Sequence, residues 1–249
     1  MHILILSAEC APIAKAGGLG DFAHGLSRAL IAEGHGVELI LPKYDVLRLD
    51  EQGVPEPWIP NLNVSFANAT VHCVVERLQV DGIPCLLIDP LEEDFFRRGT
   101  IYGQPDDAWR FAFFSVAAAA LIRQGWIQPD VVHCNDWHSA LMPVLLSART
   151  DSAHIRLCYT VHNFGHQGWA DAAVLDAAGL DRSALMHPEL LQSGDNPNQA
   201  NLMQGGIAFS DVITTVSPRH AWEVQYSDQG MGLQTRLQGL GPRFAGILN

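Results

Sequence analysis

The apolar run HILIL at residues 2–6 is followed by APIAKAGGLGDFAHGL at residues 11–26, and this pair of segments decides the fold class. The first segment predicts a short buried strand, and the second predicts a loop leading into a helix from about residue 19. Gly17 and Gly18 let the backbone approach an anion closely, and Lys15 adds a positive charge. From these residues alone, the loop is either a cradle for a diphosphate or a flexible strand-to-helix connection.

Apolar strand-like runs alternate with helical patterns along the rest of the chain. VELIL at 37–41 and DVITTV at 211–216 are mostly apolar on both faces, which is typical of parallel strands covered on both sides. VHCVVE at 71–76 alternates instead and predicts an inserted β-hairpin between residues 62 and 80. The pattern therefore predicts an α/β, doubly wound, mostly parallel sheet. Strands are expected at 2–7, 36–41, 83–88, 130–134, 155–161 and 211–216, and helices at about 19–33, 106–124, 138–148, 199–209 and 218–226.

The composition restricts the class of protein. The chain has 249 residues, 48% of them hydrophobic, and 27 acidic against 15 basic residues without a basic block, which argues against a nucleic-acid partner. The short N-terminal apolar run lacks a basic flank, so neither a signal peptide nor a membrane anchor is expected. An odd number of cysteines without a CxxC pair favours reduced, buried thiols in a cytoplasmic protein over disulfides or a metal site. These cysteines are Cys10, Cys73, Cys85, Cys134 and Cys158.

Polar residues that follow the predicted strands are the candidates for function, because ligands bind beyond the carboxyl ends of parallel strands. In DVVHCNDWH at 130–138, Asp136 either caps the next helix or contacts a ligand. In LCYTVHNFGHQG at 157–168, His162 is a base, a metal ligand, a hydrogen-bond partner or a satisfied structural histidine. No acidic or cysteine partner stands at metal-ligand spacing beside it, so a zinc site is not expected. The Gly-Gly pair in NLMQGGIA at 201–208 marks either close packing or ligand contact.

The segment GLGDFA at 18–23 also matches the dinucleotide fingerprint G-x-G-x-x-A, with Glu38 20 positions after Gly18. That fingerprint requires a tight turn at the strand end, whereas about ten residues separate Ser7 from Gly18. Glu38 also falls in the middle of a predicted strand. An NAD-dependent oxidoreductase is therefore a minor alternative, and no GxSxG elbow or GxxxxGK[ST] loop supports a hydrolase or a nucleotide triphosphatase.

Taken together, the motifs resemble the N-terminal half of bacterial glycogen synthases and plant starch synthases, in order along almost the whole chain. The K-x-G-G-L motif of that family stands at 15–19, and T-V-S-P with a following alanine and glutamate stands at 215–223. Between them lie Y-G-x-x-D-D-x-x-R-F-A-F-F at 102–114, H-C-N-D-W-H at 133–138, and T-V-H-N with a downstream Q-G at 160–168.

The resemblance implies a fold and an activity. The fold would be the N-terminal half of a GT-B glycosyltransferase, in which two Rossmann-like domains face each other across a cleft. Residues 1–249 would form one N-terminal domain, and the C-terminal nucleotide-sugar-binding domain would be absent from this chain. The implied reaction transfers glucose from ADP-glucose to the non-reducing end of an α-1,4-glucan such as glycogen, with retention and without a metal or other cofactor. Without its partner domain the chain is expected to be inactive, and a non-catalytic glucan-binding module is the alternative.

The resemblance also assigns roles to residues. Lys15, Gly17 and Gly18 would bind the donor diphosphate, while Asp136 and His162 would be the catalytic residues that bind and orient the transferred glucose. Further donor or acceptor contacts would come from Asp21, Tyr102 and Asn163. One departure is Gln204, which stands where the family commonly has lysine.

Overall fold

A computed structural model describes residues 1–50, 52–148, 152, 154–194 and 196–249. Its strands are β1 (His2–Leu6), β2 (Gly36–Pro42), β3 (Glu56–Phe66), β4 (Ala69–Val80), β5 (Ile83–Pro90), β6 (Val131–Asn135), β7 (Arg156–Val161), β8 (Trp169–Asp171), β9 (Gln192–Ser193), β10 (Asn196–Asn201), β11 (Val212–Thr215) and β12 (Phe244–Gly246). Its α-helices are α1 (Gly18–Ala32), α2 (Asp107–Arg123), α3 (Leu141–Ser147), α4 (Ala173–Ala177), α5 (Arg182–Leu185), α6 (Leu202–Phe209), α7 (Pro218–Tyr226) and α8 (Gln234–Gly239).

The main sheet has the strand order β12-β11-β7-β6-β1-β2-β5-β4-β3. All neighbours from β12 to β5 pair in parallel, with Ile3 of β1 opposite Val37 on one side and Val131 on the other. The chain first builds outward from β1 to β2 and β5, and it then builds in the other direction through β6, β7, β11 and β12. The order therefore reverses between β1 and β6, which is the point where open α/β sheets bind ligands.

The predicted hairpin is present and longer than the sequence indicated. Strands β3 and β4 pair in antiparallel fashion, and β4 pairs in the same way with β5, so the hairpin extends one edge of the sheet. The side chains of β4 alternate between buried and exposed positions along most of its length. This alternation is the signal that distinguishes β4 from the buried parallel strands.

Helix α2 is buried along most of its length and carries a fully buried arginine. The guanidinium of Arg110 donates to the Asp107 carboxylate at 2.8 Å and to the carbonyl oxygens of Phe95 and Ile101 at 3.0 and 2.6 Å. A buried charge needs such partners, because burial removes its hydration. Arg110 therefore fixes the irregular segment that leads to Tyr102.

The glycine pair of α6 was predicted to mark either close packing or ligand contact, and the structure favours close packing. A Cβ at Gly206 would lie 2.8 Å from ring carbons of Tyr159, and one at Gly205 would lie 2.9 Å from Cγ of Leu191. These distances are shorter than ordinary contacts, so the pair serves close packing. The neighbouring Gln204 side chain has a buried Oε1 atom without a hydrogen-bond partner among the described residues.

Several boundaries differ from the predicted ones. The helix expected from 138 begins as a 3₁₀ turn at Trp137–Ser139, and α3 follows at Leu141. The helix expected from 199 starts at Leu202, because the Asn201 side chain accepts a hydrogen bond from the backbone N–H of Gln204 and caps it. The Ser217 cap of α7 is confirmed, since its hydroxyl accepts from the N–H of His220.

Two further features bear on the class of protein. All five cysteines are free, and four of them are buried as predicted, whereas Cys158 is partly exposed. Among the described residues, no helix combines the length and the apolar character that crossing a membrane requires.

Candidate functional site

A cavity of about 670 Å³ lies at the carboxyl ends of β1, β6, β7 and β11, where the strand order reverses. Parallel strands bring the residues that follow them to the same edge of the sheet, so segments distant in sequence meet here. The first turn of α1 and the irregular segment before α2 complete the wall. The lining residues are Glu9, Gly18, Leu19, Tyr102, Gly103, Asp107, Asp136, Trp137, His138, His162, Asn163, His166, Val216 and Asn249.

Asp136 follows β6 in a backbone conformation that is unusual for a residue with a side chain. Its φ is 54° and its ψ is −179°, a combination that costs free energy in residues other than glycine. Its carboxylate does not cap the 3₁₀ turn that follows. Instead, Oδ1 accepts hydrogen bonds from the backbone N–H groups of His162 at 2.7 Å and Asn163 at 3.3 Å. The capping alternative is therefore wrong, and Asp136 ties the end of β6 to the end of β7.

The environment of Asp136 raises the pKa of its carboxyl group to about 7. Burial is the main cause, since only 8% of the residue is exposed and the carboxylate loses its hydration. The two backbone N–H donors oppose this shift, and the negative charge of Glu9 adds to it. Asp136 therefore changes charge near neutral pH, which is a property of many functional carboxyl groups.

His162 points into the same cavity as a neutral imidazole. Burial and, to a smaller extent, the nearby His133 lower the pKa of His162 to about 4. Its Nε2 lies 3.2 Å from Oδ1 of Asn135, whose Nδ2 donates to the carbonyl oxygen of Leu6. This arrangement favours the tautomer that carries hydrogen on Nε2, which leaves Nδ1 as an acceptor. The ring of Phe22 from α1 packs against the imidazole in a T-shaped arrangement, with the ring centroids 4.5 Å apart, and restrains its orientation.

The lysine–glycine loop lies beside this cavity. Nζ of Lys15 pairs with the Asp21 carboxylate at 2.7 Å, and both side chains are about half exposed. The backbone N–H groups of Ala16 and Gly17 donate to Oε2 of Glu9 at 2.6 and 2.7 Å. No described side chain caps the N terminus of α1, and a Cβ at Gly18 would meet open space. The positive end of the α1 dipole is therefore directed towards the cavity.

An aromatic wall formed by Tyr102, Trp137 and His138 lines another part of the cavity. The rings of Tyr102 and His138 stack with their centroids 5.1 Å apart, and Trp137 and Phe111 also pack against His138. Burial lowers the pKa of His138 to about 3, so its ring is neutral, and Nδ1 has no hydrogen-bond partner among the described residues. The hydroxyl of Tyr102 donates to Oε1 of Glu9.

Five of the eight predicted site residues line the cavity. They are Gly18, Tyr102, Asp136, His162 and Asn163. The other three, Lys15, Gly17 and Asp21, lie on the loop and the first turn of α1 and do not line it.

Glu9, Asp107, His138 and His166 also line the cavity, although they were not among the predicted site residues. Glu9 and His138 stood just beyond two predicted strands, and this position was the available signal. Their burial depends on tertiary packing. Within the described residues, no group of three or more His, Cys, Asp or Glu side chains could hold a metal ion.

The dinucleotide alternative lacks the geometry that it requires. Glu38 pairs with Nε2 of His2 at 3.1 Å and lies within β2, away from the carboxyl end of that strand. The loop from Ser7 to Gly17 separates β1 from α1, so the tight turn of a dinucleotide site is missing.

The Gly168→Ala variant is expected to be unstable. Gly168 has a φ of +66°, and a Cβ there would lie 2.6 Å from Cε3 of Trp137. The cost of a positive φ in alanine and the cost of the steric clash with Trp137 add to each other, so we expect a loss of about 2–4 kcal/mol in the free energy of unfolding. Urea unfolding of the variant and of Gly179→Ala would measure it. Gly179 has a φ of +71° and no atom within 4 Å of a built Cβ, so it isolates the cost of the backbone. Equal losses in the two variants would contradict the clash.

Comparisons with known proteins show the family to which the chain belongs. The sequence profile of the family described as "Starch synthase catalytic domain" matches residues 2–239. Glycogen synthase 1 of Nitrosococcus oceani is 46% identical over the whole chain, which covers 52% of that protein. Probable starch synthase 4 of Arabidopsis thaliana is 38% identical, again over the whole chain, which covers 24% of it.

A solved structure is similar in fold as well. It is described as the catalytic domain of Starch Synthase IV from Arabidopsis thaliana bound to ADP and acarbose, and it matches the whole chain with a TM-score of 0.95 and 38% identity, over 51% of its own length. The chain spans about half the length of the bacterial relatives it matches. The profile, the relatives and the fold agree that this chain belongs to the starch synthase catalytic domain family.

Proposed function

We propose that this chain is the N-terminal catalytic domain of a glycogen synthase. The enzyme would transfer glucose from ADP-glucose to the non-reducing end of an α-1,4-glucan, with retention of the anomeric configuration. The observation that carries the proposal is the meeting of Gly18, Asp136 and His162 in one cavity at the reversal of strand order. The starch synthase IV structure, which binds ADP and acarbose, supports the nucleotide and glucan classes of ligand.

The donor diphosphate would lie against the start of α1. Negative charge develops on the phosphates as ADP leaves, and preorganised N–H groups with a cation stabilise that charge. The uncapped first turn of α1 supplies the N–H groups, and Gly18 leaves room for a phosphate to approach. Lys15 supplies the cation, once its exposed ion pair with Asp21 breaks and its ammonium group contacts the phosphate instead. Such an exposed pair contributes little stability, so the exchange costs little.

The transferred glucose would lie against Asp136, His162 and Asn163. As a carboxylate, Asp136 would stabilise the positive charge that a glucosyl group develops as its bond to the phosphate breaks. The neutral imidazole of His162 would accept a hydrogen bond from a sugar hydroxyl through Nδ1. Neither residue needs to attack the sugar for these roles, which are binding and charge stabilisation.

The other wall of the cleft would come from a C-terminal domain. The bacterial relatives are about twice as long as this chain, which leaves room in them for a second domain of similar size. Residues 1–249 alone are then expected not to turn over, because the donor would be exposed to water on one side. The free cysteines suit a cytoplasmic enzyme.

Transfer of labelled glucose from ADP-glucose to glycogen tests the proposal. The product of the uninterrupted reading frame is expected to transfer glucose, and residues 1–249 alone are expected not to. UDP-glucose in a parallel assay tests the nucleotide preference. Glycogen binding without transfer by the full-length product would instead indicate a glucan-binding module, and it would contradict the proposed activity.

A further inference from the structure

Glu9 is a buried carboxylate that lines the cavity, and it has no assigned role. It lies just beyond β1, and only 1% of the residue is exposed. Its backbone N–H donates to Oγ of Ser7 at 3.2 Å, which fixes the turn after the strand. A buried acid that touches a ligand cavity requires partners, because desolvation penalises its charge.

The partners of Glu9 come from two separate segments of the chain. Oε2 accepts from the N–H groups of Ala16 and Gly17, in the loop that carries Lys15. Oε1 accepts from the hydroxyl of Tyr102, in the irregular segment before α2. One side chain thus joins the lysine–glycine loop to the aromatic wall.

The packing leaves little freedom for this connection. A Cβ at Gly20 would lie 3.5 Å from Cβ of Glu9, 3.2 Å from the backbone N of Ala11 and 3.3 Å from the carbonyl oxygen of Ala14. The start of α1 therefore lies directly on the segment that carries Glu9. A shorter side chain at position 9 has to lose its hydrogen bonds either to the loop or to Tyr102.

We propose that Glu9 is a positioning residue for the donor site, where it holds the lysine–glycine loop and Tyr102 at a fixed separation. This inference rests on the proposed function. It also changes which N–H groups of the loop are free to bind the diphosphate, because those of Ala16 and Gly17 donate to Glu9. The diphosphate is then held by Lys15 and by the first-turn N–H groups of α1, beginning with Gly18.

The variants Glu9→Gln and Glu9→Asp separate the effect of side-chain length from the effect of the negative charge. Gln keeps the length, offers its carbonyl oxygen to the loop and donates its amide to the Tyr102 oxygen. Asp keeps the charge and is one methylene shorter. For the full-length enzyme we expect kcat/KM for ADP-glucose to fall about 30-fold in Glu9→Asp and less than about threefold in Glu9→Gln, because the lost contacts position the donor site.

Kinetics of the two variants and of Glu33→Gln test the proposal. Glu33 is an exposed residue at the end of α1 and serves as the matched control. The KM for glycogen is expected to stay within about twofold of wild type in every variant, because the donor contacts are the ones changed. Activity retained by Glu9→Asp and lost by Glu9→Gln would overturn the proposal, as would equal kinetics of all three variants.

A binding measurement separates this inference from the proposed function. If the wild-type protein transfers no glucose, the proposed function fails, and titration calorimetry with ADP still compares the variants. Weaker ADP binding by Glu9→Asp than by Glu9→Gln supports the positioning role, and equal affinities overturn it.

Discussion

The Asp136→Asn variant is expected to lower kcat/KM for glucose transfer about 1,000-fold, which corresponds to about 4 kcal/mol of lost transition-state stabilisation. The amide oxygen can still accept from the N–H groups of His162 and Asn163, because both donate to the same oxygen of Asp136. The negative charge opposite the developing glucosyl cation is what the variant loses. Initial rates of the full-length enzyme at varied ADP-glucose would measure the effect.

The pH dependence of activity follows from the same residue. Because burial raises the pKa of Asp136 to about 7, the wild-type kcat/KM is expected to rise with pH through that value. His162 does not contribute an inflection there, since the pKa of its buried ring is lowered to about 4. The residual activity of Asp136→Asn is expected to lack the rise near pH 7. An unchanged profile in the variant would contradict the assignment.

The stability of Asp136→Asn provides the control for folding. The raised pKa means that the folded state binds a proton more tightly than the unfolded state, so wild-type stability falls as pH rises from about 4 to about 7. Asparagine cannot ionise, and we expect the variant to be more stable than wild type at pH 8 by on the order of 2 kcal/mol. The difference should vanish below about pH 4. A variant that is inactive and also less stable at pH 8 would contradict this account.

The Lys15→Ala variant is expected to reduce kcat/KM about 100-fold, mainly through weaker stabilisation of the leaving diphosphate. Two unit charges about 4 Å apart near a protein surface attract each other by about 4 kcal/mol. The net contribution of Lys15 to diphosphate binding is smaller, because Lys15 gives up its pair with Asp21 when it contacts the phosphate. Lys15→Arg is expected to retain part of the activity, because it keeps the charge. The same transfer assay, together with titration of ADP, would measure both variants.

Arg28→Ala is the matched control for Lys15→Ala. Arg28 is an exposed cation on α1, and its removal changes the net charge by the same amount. Activity of Arg28→Ala is expected to stay within about twofold of wild type, because exposed charges far from the ligand are screened. A loss below about threefold in Lys15→Ala, or equal losses in the two variants, would contradict a local phosphate contact.

The parallel strands and their connecting helices were predictable from sequence because they have strong periodic signals. The runs at 37–41 and 211–216 became β2 and β11, and the Ser-Pro start of α7 is present. The small sheet of β8, β10 and β9 was not predicted, because its segments are short and β10 is the polar run NPNQAN. Such strands depend on tertiary pairing more than on their own composition.

The candidate site was predictable in part, because the parallel strands that precede its residues were themselves predictable. Asp136 and His162 follow strands that lie side by side in the sheet, so their proximity follows from the topology. The role of Glu9 was hidden, because its partners Gly17 and Tyr102 are far apart in the chain and meet only in the fold. The pKa of Asp136 was equally hidden, since it depends on burial.

A crystal structure of the full-length protein with ADP tests most directly whether the cavity is the donor half-site. We expect the diphosphate to lie within hydrogen-bonding distance of the Gly18 N–H and of Nζ of Lys15, with the Lys15–Asp21 pair broken. ADP bound away from the start of α1, with that pair intact, would contradict it.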